Sequence, residues 1–78
     1  MAAIGQRVGA ILSADKNVVY LLGYGVYDGD MRHPELGFPN PRITLDGGGH
    51  VWGCECWWGP EAMIKEKIGD REVVHVVP

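Results

Sequence analysis

The chain has 78 residues and a net charge of −3, from seven Lys and Arg against ten Asp and Glu. This length predicts a single domain, residues 1–78, and a chain this short buries only about 60% of its unfolded surface. The cationic side chains are scattered along the sequence. Because nucleic-acid binding depends on clustered cations, we expect no nucleic-acid partner.

The N-terminal residues lack the cationic and apolar regions of a signal peptide. No apolar run reaches the roughly 18 residues of a membrane span, so no membrane association is expected. The chain has two cysteines, Cys54 and Cys56, whereas a secreted domain of this size usually carries several spaced disulfides. These features together predict a cytoplasmic protein.

The first half of the chain predicts two strands, at 6–13 and at about 18–28, joined by a turn at 14–17. Alternate side chains on both faces of the second strand are largely apolar, which indicates a central or covered strand. Gly23 and Gly25 share one of these faces, and we expect them to form a trough for a Trp ring from a neighbouring strand. They open no helix, so they are not a dinucleotide-binding motif.

Residues 28–41 lose this periodicity and contain three prolines and two glycines. The segment predicts a loop of roughly a dozen residues, and loops of that length are often functional or mobile. Three carboxylates and one histidine occur in its first eight residues, but their spacing fits no calcium-binding loop. We therefore expect a solvated loop, whose mixture of charged and apolar residues is typical of protein-binding loops.

The second half predicts a strand at 42–46, a tight hairpin at Gly47–Gly49, a strand at 50–58, a helix at 61–68 and a strand at 72–77. Pro60 suits the start of that helix and Gly69 its end. The whole order predicts a β-rich α+β fold. We expect either a small curled antiparallel sheet or an SH3-like barrel of about five strands, with one short helix before the last strand.

The predicted strand at 50–58 is rich in aromatic residues and contains both cysteines. Because alternate side chains of a strand share a face, the sequence predicts one apolar stripe packed in the core. Trp57 lies on the opposite face. A thin core cannot absorb large aromatics on both faces, so we expect one Trp to be partly exposed and available for binding. The stripe consists of Trp52, Cys54, Cys56 and Trp58.

The two cysteines allow several kinds of chemistry. A disulfide between them is disfavoured, because side chains two residues apart in a strand run parallel. A zinc site would need histidine ligands such as His50 or His75, and the sequence has no second cysteine pair. A nucleophilic thiol needs a lowered pKa, which Glu55 opposes. We therefore expect both cysteines to be reduced, metal-free and mostly buried, with no cofactor and no catalytic residue.

Three stretches, residues 22–30, 40–46 and 51–61, are similar to small uncharacterised proteins of bacteria and their phages. The resemblance covers about a third of the 78 residues and implies no activity, so no catalytic residue follows from it. The adjacent Trp57 and Trp58 also resemble a feature of SH3 domains. A helix is expected after them here, where an SH3 domain would continue as a strand, so proline-peptide binding is not expected.

Two functions remain open from the sequence. The favoured one is a non-enzymatic protein-interaction module. The resemblance to phage proteins suggests a phage or prophage origin, in which case the partner would be a host protein. The alternative is a small-ligand or nucleotide-binding protein with a pocket at the barrel mouth, which would require a cavity of roughly 300 Å³ with converging polar groups. The predicted binding residues are Tyr27, Asp28, Asp30, Arg32, His33, Phe38, Trp57 and Trp58.

A second copy of the chain is another expected partner. The valine-rich strand at 72–77 is expected to form a sheet edge, and an unpaired edge tends to pair with another chain. A homodimer would also compensate for the thin core of a short chain. In the competing arrangement this strand pairs with the first strand and closes a barrel, which leaves no edge.

Overall fold

The structure, a computed structural model, describes residues 2–78. It forms one sheet with a short helix packed on one side. In chain order the elements are β1 (Arg7–Ala14), β2 (Val18–Arg32), β3 (Pro39–Leu45), β4 (His50–Trp52), a 3-10 turn (Gly53–Glu55), β5 (Trp57–Pro60), α1 (Glu61–Ile68) and β6 (Glu72–His75).

Five strands lie in the order β4-β3-β2-β1-β5, and each neighbouring pair is antiparallel. β6 pairs in parallel with the first residues of β2, on the edge that β3 occupies farther along. The end strands β4 and β5 do not pair with each other within residues 2–78. The structure therefore confirms the curled sheet with one helix before the last strand, and the barrel is not formed.

A tight turn at Asp15–Asn17 connects β1 to β2. One carboxylate oxygen of Asp15 accepts hydrogen bonds from the backbone N–H groups of Asn17 and Val18, both at 2.8 Å. These two bonds stabilise the ionised carboxylate and hold the pKa of Asp15 below its usual value. The strand before this turn is Arg7–Ala14, one residue later than the predicted 6–13.

β2 is central, as predicted, but its two faces do not alternate regularly. Its pairing with β1 passes over Leu22, which forms a β-bulge. Leu21 and Tyr24 consequently contact the same hydrophobic cluster, while Leu22 contacts the other one. The predicted division of β2 into even-numbered and odd-numbered faces is therefore wrong beyond Leu22.

The predicted loop at 28–41 is much shorter in the structure. β2 continues to Arg32 and β3 begins at Pro39, so that only residues 33–38 lie between them. A second irregularity between Tyr27 and Asp30 lets the two strands stay paired. Proline is compatible with β3 here, because β4 pairs only with residues 42–44 and leaves that edge free at Pro39 and Pro41.

The predicted strand at 50–58 is also wrong as a single element. The 3-10 turn at Gly53–Glu55 separates β4 from β5, which lie at opposite ends of the sheet. A Cβ atom at Gly53 would overlap the Trp58 indole, so glycine is needed where the chain turns. The predicted stripe is therefore broken, and Cys54 is exposed rather than buried.

Two hydrophobic clusters form the core. We call the first the Trp58 cluster, since Trp58 packs against it, and the second the helix cluster, since α1 covers it. Burial of each large aliphatic side chain contributes about 1.5–3 kcal/mol to the stability of the folded chain. The Trp58 cluster contains Val8, Ala10, Leu22, Ile43, Leu45 and Val51, with Tyr27, Cys56, Trp58 and Val76 packed on it. The helix cluster contains Ile11, Val19, Leu21, Ile64 and Ile68, with Tyr24 packed on it.

The helix matches its predicted boundaries. α1 spans Glu61–Ile68, and its apolar residues Ile64 and Ile68 are buried four positions apart. Gly69 ends the helix with a φ of 58°, a value that favours glycine. The hairpin of glycines after β3 is confirmed as well, since Gly48 and Gly49 also have positive φ angles.

The trough predicted at Gly23 and Gly25 receives no Trp ring. A Cβ atom at Gly25 would collide with the backbone carbonyl of Thr44, so β3 itself fills this space. A Cβ atom at Gly23 would lie 3.5 Å from Leu45 and 3.6 Å from His75. Gly25 thus allows the close approach of β3 to β2. At Gly23 these distances are ordinary contacts, and its φ of 143° is what favours glycine there.

Candidate functional site

Trp57 is the most exposed aromatic side chain of residues 2–78, with 70% of its surface accessible. It lies opposite Ile11 in the pairing of β5 with β1. Residues directly opposite each other in an antiparallel pair point to the same face, so Trp57 lies on the side of the sheet that carries α1. The prediction that one Trp would stay partly exposed is confirmed.

A groove of about 470 Å³ runs between β5 and α1 beside this side chain. Met63, 41% exposed, lies on the helix side of the groove, and Ile64 belongs to the buried core beneath it. Lys67 is the one charged side chain in the lining. We call this surface the β5–α1 groove; its lining consists of Gly53, Cys56, Trp57, Trp58, Met63, Ile64 and Lys67.

The two adjacent tryptophans have different roles because neighbouring residues of a strand face opposite ways. Trp58 stacks on Tyr27 with ring centroids 5.1 Å apart and an angle of 26° between the rings. The Trp57 side chain does not pack on the Trp58 cluster and is exposed to solvent. A Cβ atom at Gly59 would overlap the Met63 side chain, so this glycine lets Met63 lie directly against β5.

Tyr27, Asp28 and Asp30, predicted as binding residues, make contacts within the chain. The Tyr27 hydroxyl donates to Asp30 Oδ1 at 2.8 Å, and this hydrogen bond, with some burial, raises the pKa of Tyr27. Asp28 Oδ2 accepts from Arg42 Nε at 3.0 Å and from the Thr44 hydroxyl. The Asp28 carboxylate therefore joins β2 to β3, whereas the hydrogen bond between Tyr27 and Asp30 lies within β2.

His33, another predicted binding residue, is buried with only 5% of its surface exposed. Its Nδ1 accepts hydrogen bonds from the backbone N–H groups of Glu35 at 3.1 Å and Leu36 at 3.2 Å. Its ring packs on Trp52 with centroids 4.7 Å apart, and its Nε2 lies 3.8 Å from a Glu55 carboxylate oxygen. His33 thus holds the 33–38 loop against the 3-10 turn.

A second exposed apolar surface lies at this β2–β3 connection. Phe38 is 56% exposed, and Met31 and Leu36 are exposed nearby in sequence, as is Arg32. The structure therefore distributes the predicted binding residues over four places. Trp57 borders the β5–α1 groove, and Trp58 also lines this groove while it packs with Tyr27 on the Trp58 cluster. Asp28 and Asp30 make contacts along β2, and Arg32, His33 and Phe38 lie at the β2–β3 connection.

The cysteines differ in their surroundings. Cys56 is half-buried, and its Sγ donates to the Trp52 carbonyl oxygen at 3.3 Å. Burial raises the pKa of the Cys56 thiol to about 11, and the nearby Glu55 carboxylate adds to the effect. The thiol is therefore protonated near pH 7. Within residues 2–78, no three His, Cys, Asp or Glu side chains come close enough together to hold a metal ion.

Two further cavities, of about 290 and 350 Å³, lie beside β6 and the last residues of the chain. The smaller one is bordered by Asp46, whose two carboxylate oxygens accept hydrogen bonds from Arg7 at 2.7 and 2.6 Å. This ion pair holds the pKa of Asp46 below its usual value. The carboxylate is thus already paired inside the chain, so it does not offer a free anion to a ligand.

Comparison of the chain with protein-family models, with curated proteins and with solved structures finds no match. The similarity to small bacterial and phage proteins therefore stays a prediction. Over residues 2–78, the structure contains no helix with the length and apolar character needed to cross a membrane.

Proposed function

We propose that the protein is a non-enzymatic protein-interaction module whose binding surface is the β5–α1 groove. The observation that carries the proposal is the 70% exposure of Trp57 beside the exposed Met63. Large aromatic side chains that are exposed next to an apolar groove supply much of the binding energy at protein interfaces. In this proposal the module acts in the cytoplasm, and a phage or prophage protein of this kind would act on a host protein.

The lining of the groove defines the chemistry of the partner. An aromatic or aliphatic side chain of the partner would sit between Trp57 and Met63. Lys67 would attract a carboxylate next to it, while the neighbouring Lys65 has its ammonium group 5.4 Å from the centre of the Tyr24 ring. The proposed partner is therefore a protein segment with an apolar side chain adjacent to Asp or Glu.

The lining also distinguishes this proposal from a small-ligand site. A ligand pocket needs several converging polar groups that fix the orientation of the ligand. In the β5–α1 groove, Lys67 supplies the one charged group, and the remaining side chains are apolar apart from the Cys56 thiol and the indole N–H groups of Trp57 and Trp58. This composition favours a protein partner over a nucleotide.

Selection from a random peptide library against the immobilised protein tests the proposal. We expect the selected peptides to carry an aromatic or aliphatic residue next to Asp or Glu. Trp57→Ala should weaken their binding by at least about tenfold, which corresponds to about 1.4 kcal/mol. Lys67→Glu should weaken the binding of the acidic peptides too, because it reverses the charge in the groove.

Phe38→Ala is the matched control, because Phe38 is another exposed aromatic residue, 56% exposed, and it does not line the groove. Its binding should equal that of the unchanged protein. If Phe38→Ala abolishes binding and Trp57→Ala does not, the binding surface lies at the β2–β3 connection and the proposed groove is wrong. A library that yields no specific peptide contradicts the proposal as well.

A further inference from the structure

β6 presents one edge whose backbone groups have no partner strand within residues 2–78. The N–H of Glu72 donates to the Asn17 carbonyl at 3.0 Å, and the N–H of Val76 donates to the Leu21 carbonyl at 2.8 Å. Because N–H groups point alternately to the two sides of a strand, those of Val73 and His75 point away from β2. These two residues therefore offer free donors and acceptors.

The side chains of β6 are as incompletely covered as its backbone. Val73 is 44% exposed and Val74 is 38% exposed. In the pairing of β6 with β2, Val73 lies beside Val19 of the helix cluster, and Val74 lies beside Tyr20, itself 37% exposed. Apolar surface on both faces of the sheet thus continues to β6 and ends there in water.

This edge has little protection against pairing with another chain, since Glu72 is its one acidic or basic residue apart from His75. Natural edge strands are shortened or carry lysine, proline or bulges. β4 has only three residues, and β5 ends in Pro60. β6 has four residues, all exposed, with neither Lys nor Pro among them. Of the free edges in the sheet, β6 is therefore the one best suited to pairing.

We propose that β6 pairs antiparallel with β6 of a second copy and forms a two-fold symmetric dimer with one continuous sheet. The two-fold axis is perpendicular to the sheet, so each residue lies opposite a residue of the same face. The register must then be centred on one residue. With Val74 at the centre, Val73 of each copy lies opposite His75 of the other, and their free N–H and C=O groups form four hydrogen bonds.

The neighbouring register, centred on Val73, is less favourable. It would place Arg71 opposite His75 of the second copy, but the Arg71 N–H already donates to the Ile68 carbonyl at 3.2 Å. The Arg71 guanidinium is also held by the carbonyl of Asp15 at 2.8 Å. Arg71 cannot join the new pairing without losing these bonds.

The register centred on Val74 also suits the side chains. Glu72 faces Val76 of the second copy, so no two like charges lie opposite each other. On one face of the dimer Tyr20, Val74 and the same two residues of the second copy form an uninterrupted apolar row. Such cross-strand pairs contribute roughly 0.2–1 kcal/mol each. This self-complementarity identifies a second copy as the occupant of the edge.

Sedimentation equilibrium of the full chain over about 5–500 µM tests the dimer. We expect the mean mass to rise from the 8.5 kDa of one chain towards twice that value. Val73→Pro should keep the chain monomeric, because the proline ring blocks the edge while Val73 donates no bond to β2. Phe38→Ala removes an exposed apolar side chain outside β6 and should dimerise normally.

Amide hydrogen exchange of the unchanged protein gives a second readout that needs no variant. Exchange at Val73 and His75 should slow by at least about tenfold between the dilute and the concentrated sample, because these amides become bonded only in the dimer. Val74 and Val76 should be protected in both samples. A monomer at 500 µM, a dimer without new protection at Val73 and His75, or a dimer of a folded Val73→Pro variant overturns the proposal.

Discussion

At the scale of single residues, Cys54 and Cys56 have different environments although only one residue separates them. Cys54 lies on the outside of the 3-10 turn and is exposed, while Cys56 packs against the Trp58 cluster. Burial in this apolar surrounding disfavours the thiolate of Cys56, which accounts for its pKa of about 11. Their reactivities are therefore separable despite their proximity.

We expect iodoacetamide at pH 8 to modify Cys54 much faster than Cys56. At that pH, three units below the pKa of Cys56, only about one thiol in a thousand is ionised, and the thiolate is the reactive form. Peptide mass spectrometry over time measures the two rates. Cys54→Ser should remove the fast phase, and equal rates at both residues would contradict the assignment of environments.

At the scale of the elements, the close approach of β3 to β2 depends on Gly25. A Cβ atom there would collide with the Thr44 carbonyl, which is backbone and cannot rotate away. We expect Gly25→Ala to lower the free energy of unfolding by about 3 kcal/mol, at the upper end of the usual cost of overpacking. Urea denaturation followed by Trp fluorescence measures this loss.

Gly47→Ala is the control for this substitution. Gly47 has no positive φ, and nothing lies within 4 Å of the position of its Cβ atom. Its effect on the free energy of unfolding should stay within about 0.5 kcal/mol. A comparable loss in both variants would mean that the alanine side chain, and not the collision with β3, is responsible.

The periodicity of apolar residues in the sequence predicted some elements correctly and missed others. It located β1, the centre of β2, the glycine hairpin and α1, because each has a regular apolar pattern or a glycine at its end. It failed at Leu22 and at Gly53. A bulge and a corner depend on which strands meet in space, and neither changes the local pattern of apolar residues. The boundaries of the β2–β3 loop were missed for the same reason.

The candidate site was predictable in part. Two adjacent tryptophans in a strand must face opposite ways, so one exposed Trp follows from the sequence alone. The contribution of Met63 to the groove does not follow, because it requires α1 to fold back onto the sheet beside β5. The buried position of His33 was also missed. Its two bonds from the N–H groups of Glu35 and Leu36 depend on a loop conformation that the residue types do not specify.

At the scale of the whole molecule, β2 is the organising element. It pairs with β1 along one edge and with both β6 and β3 along the other. Most of these partners are close to β2 in sequence. β6 is the exception, since the paired residues Val18 and Glu72 are 54 positions apart. The sheet therefore combines local hairpins with two long-range pairings. One is the antiparallel pairing of β1 with β5, and the other is the parallel pairing of β6 with β2.

The parallel pairing of β6 with β2 affects how long the chain stays folded. Closing a long loop costs more entropy than closing a hairpin, so we expect contacts of β6 to form after the rate-limiting step of folding.

Val76→Ala should then accelerate unfolding with little effect on the folding rate, whereas Val8→Ala in β1 should slow folding. Stopped-flow measurements at a concentration where the chain is monomeric separate the two rates. Equal slowing of folding in both variants would contradict this order of events. In this view the β1–β2 hairpin sets how quickly the native state is reached, and β6 sets how long it lasts.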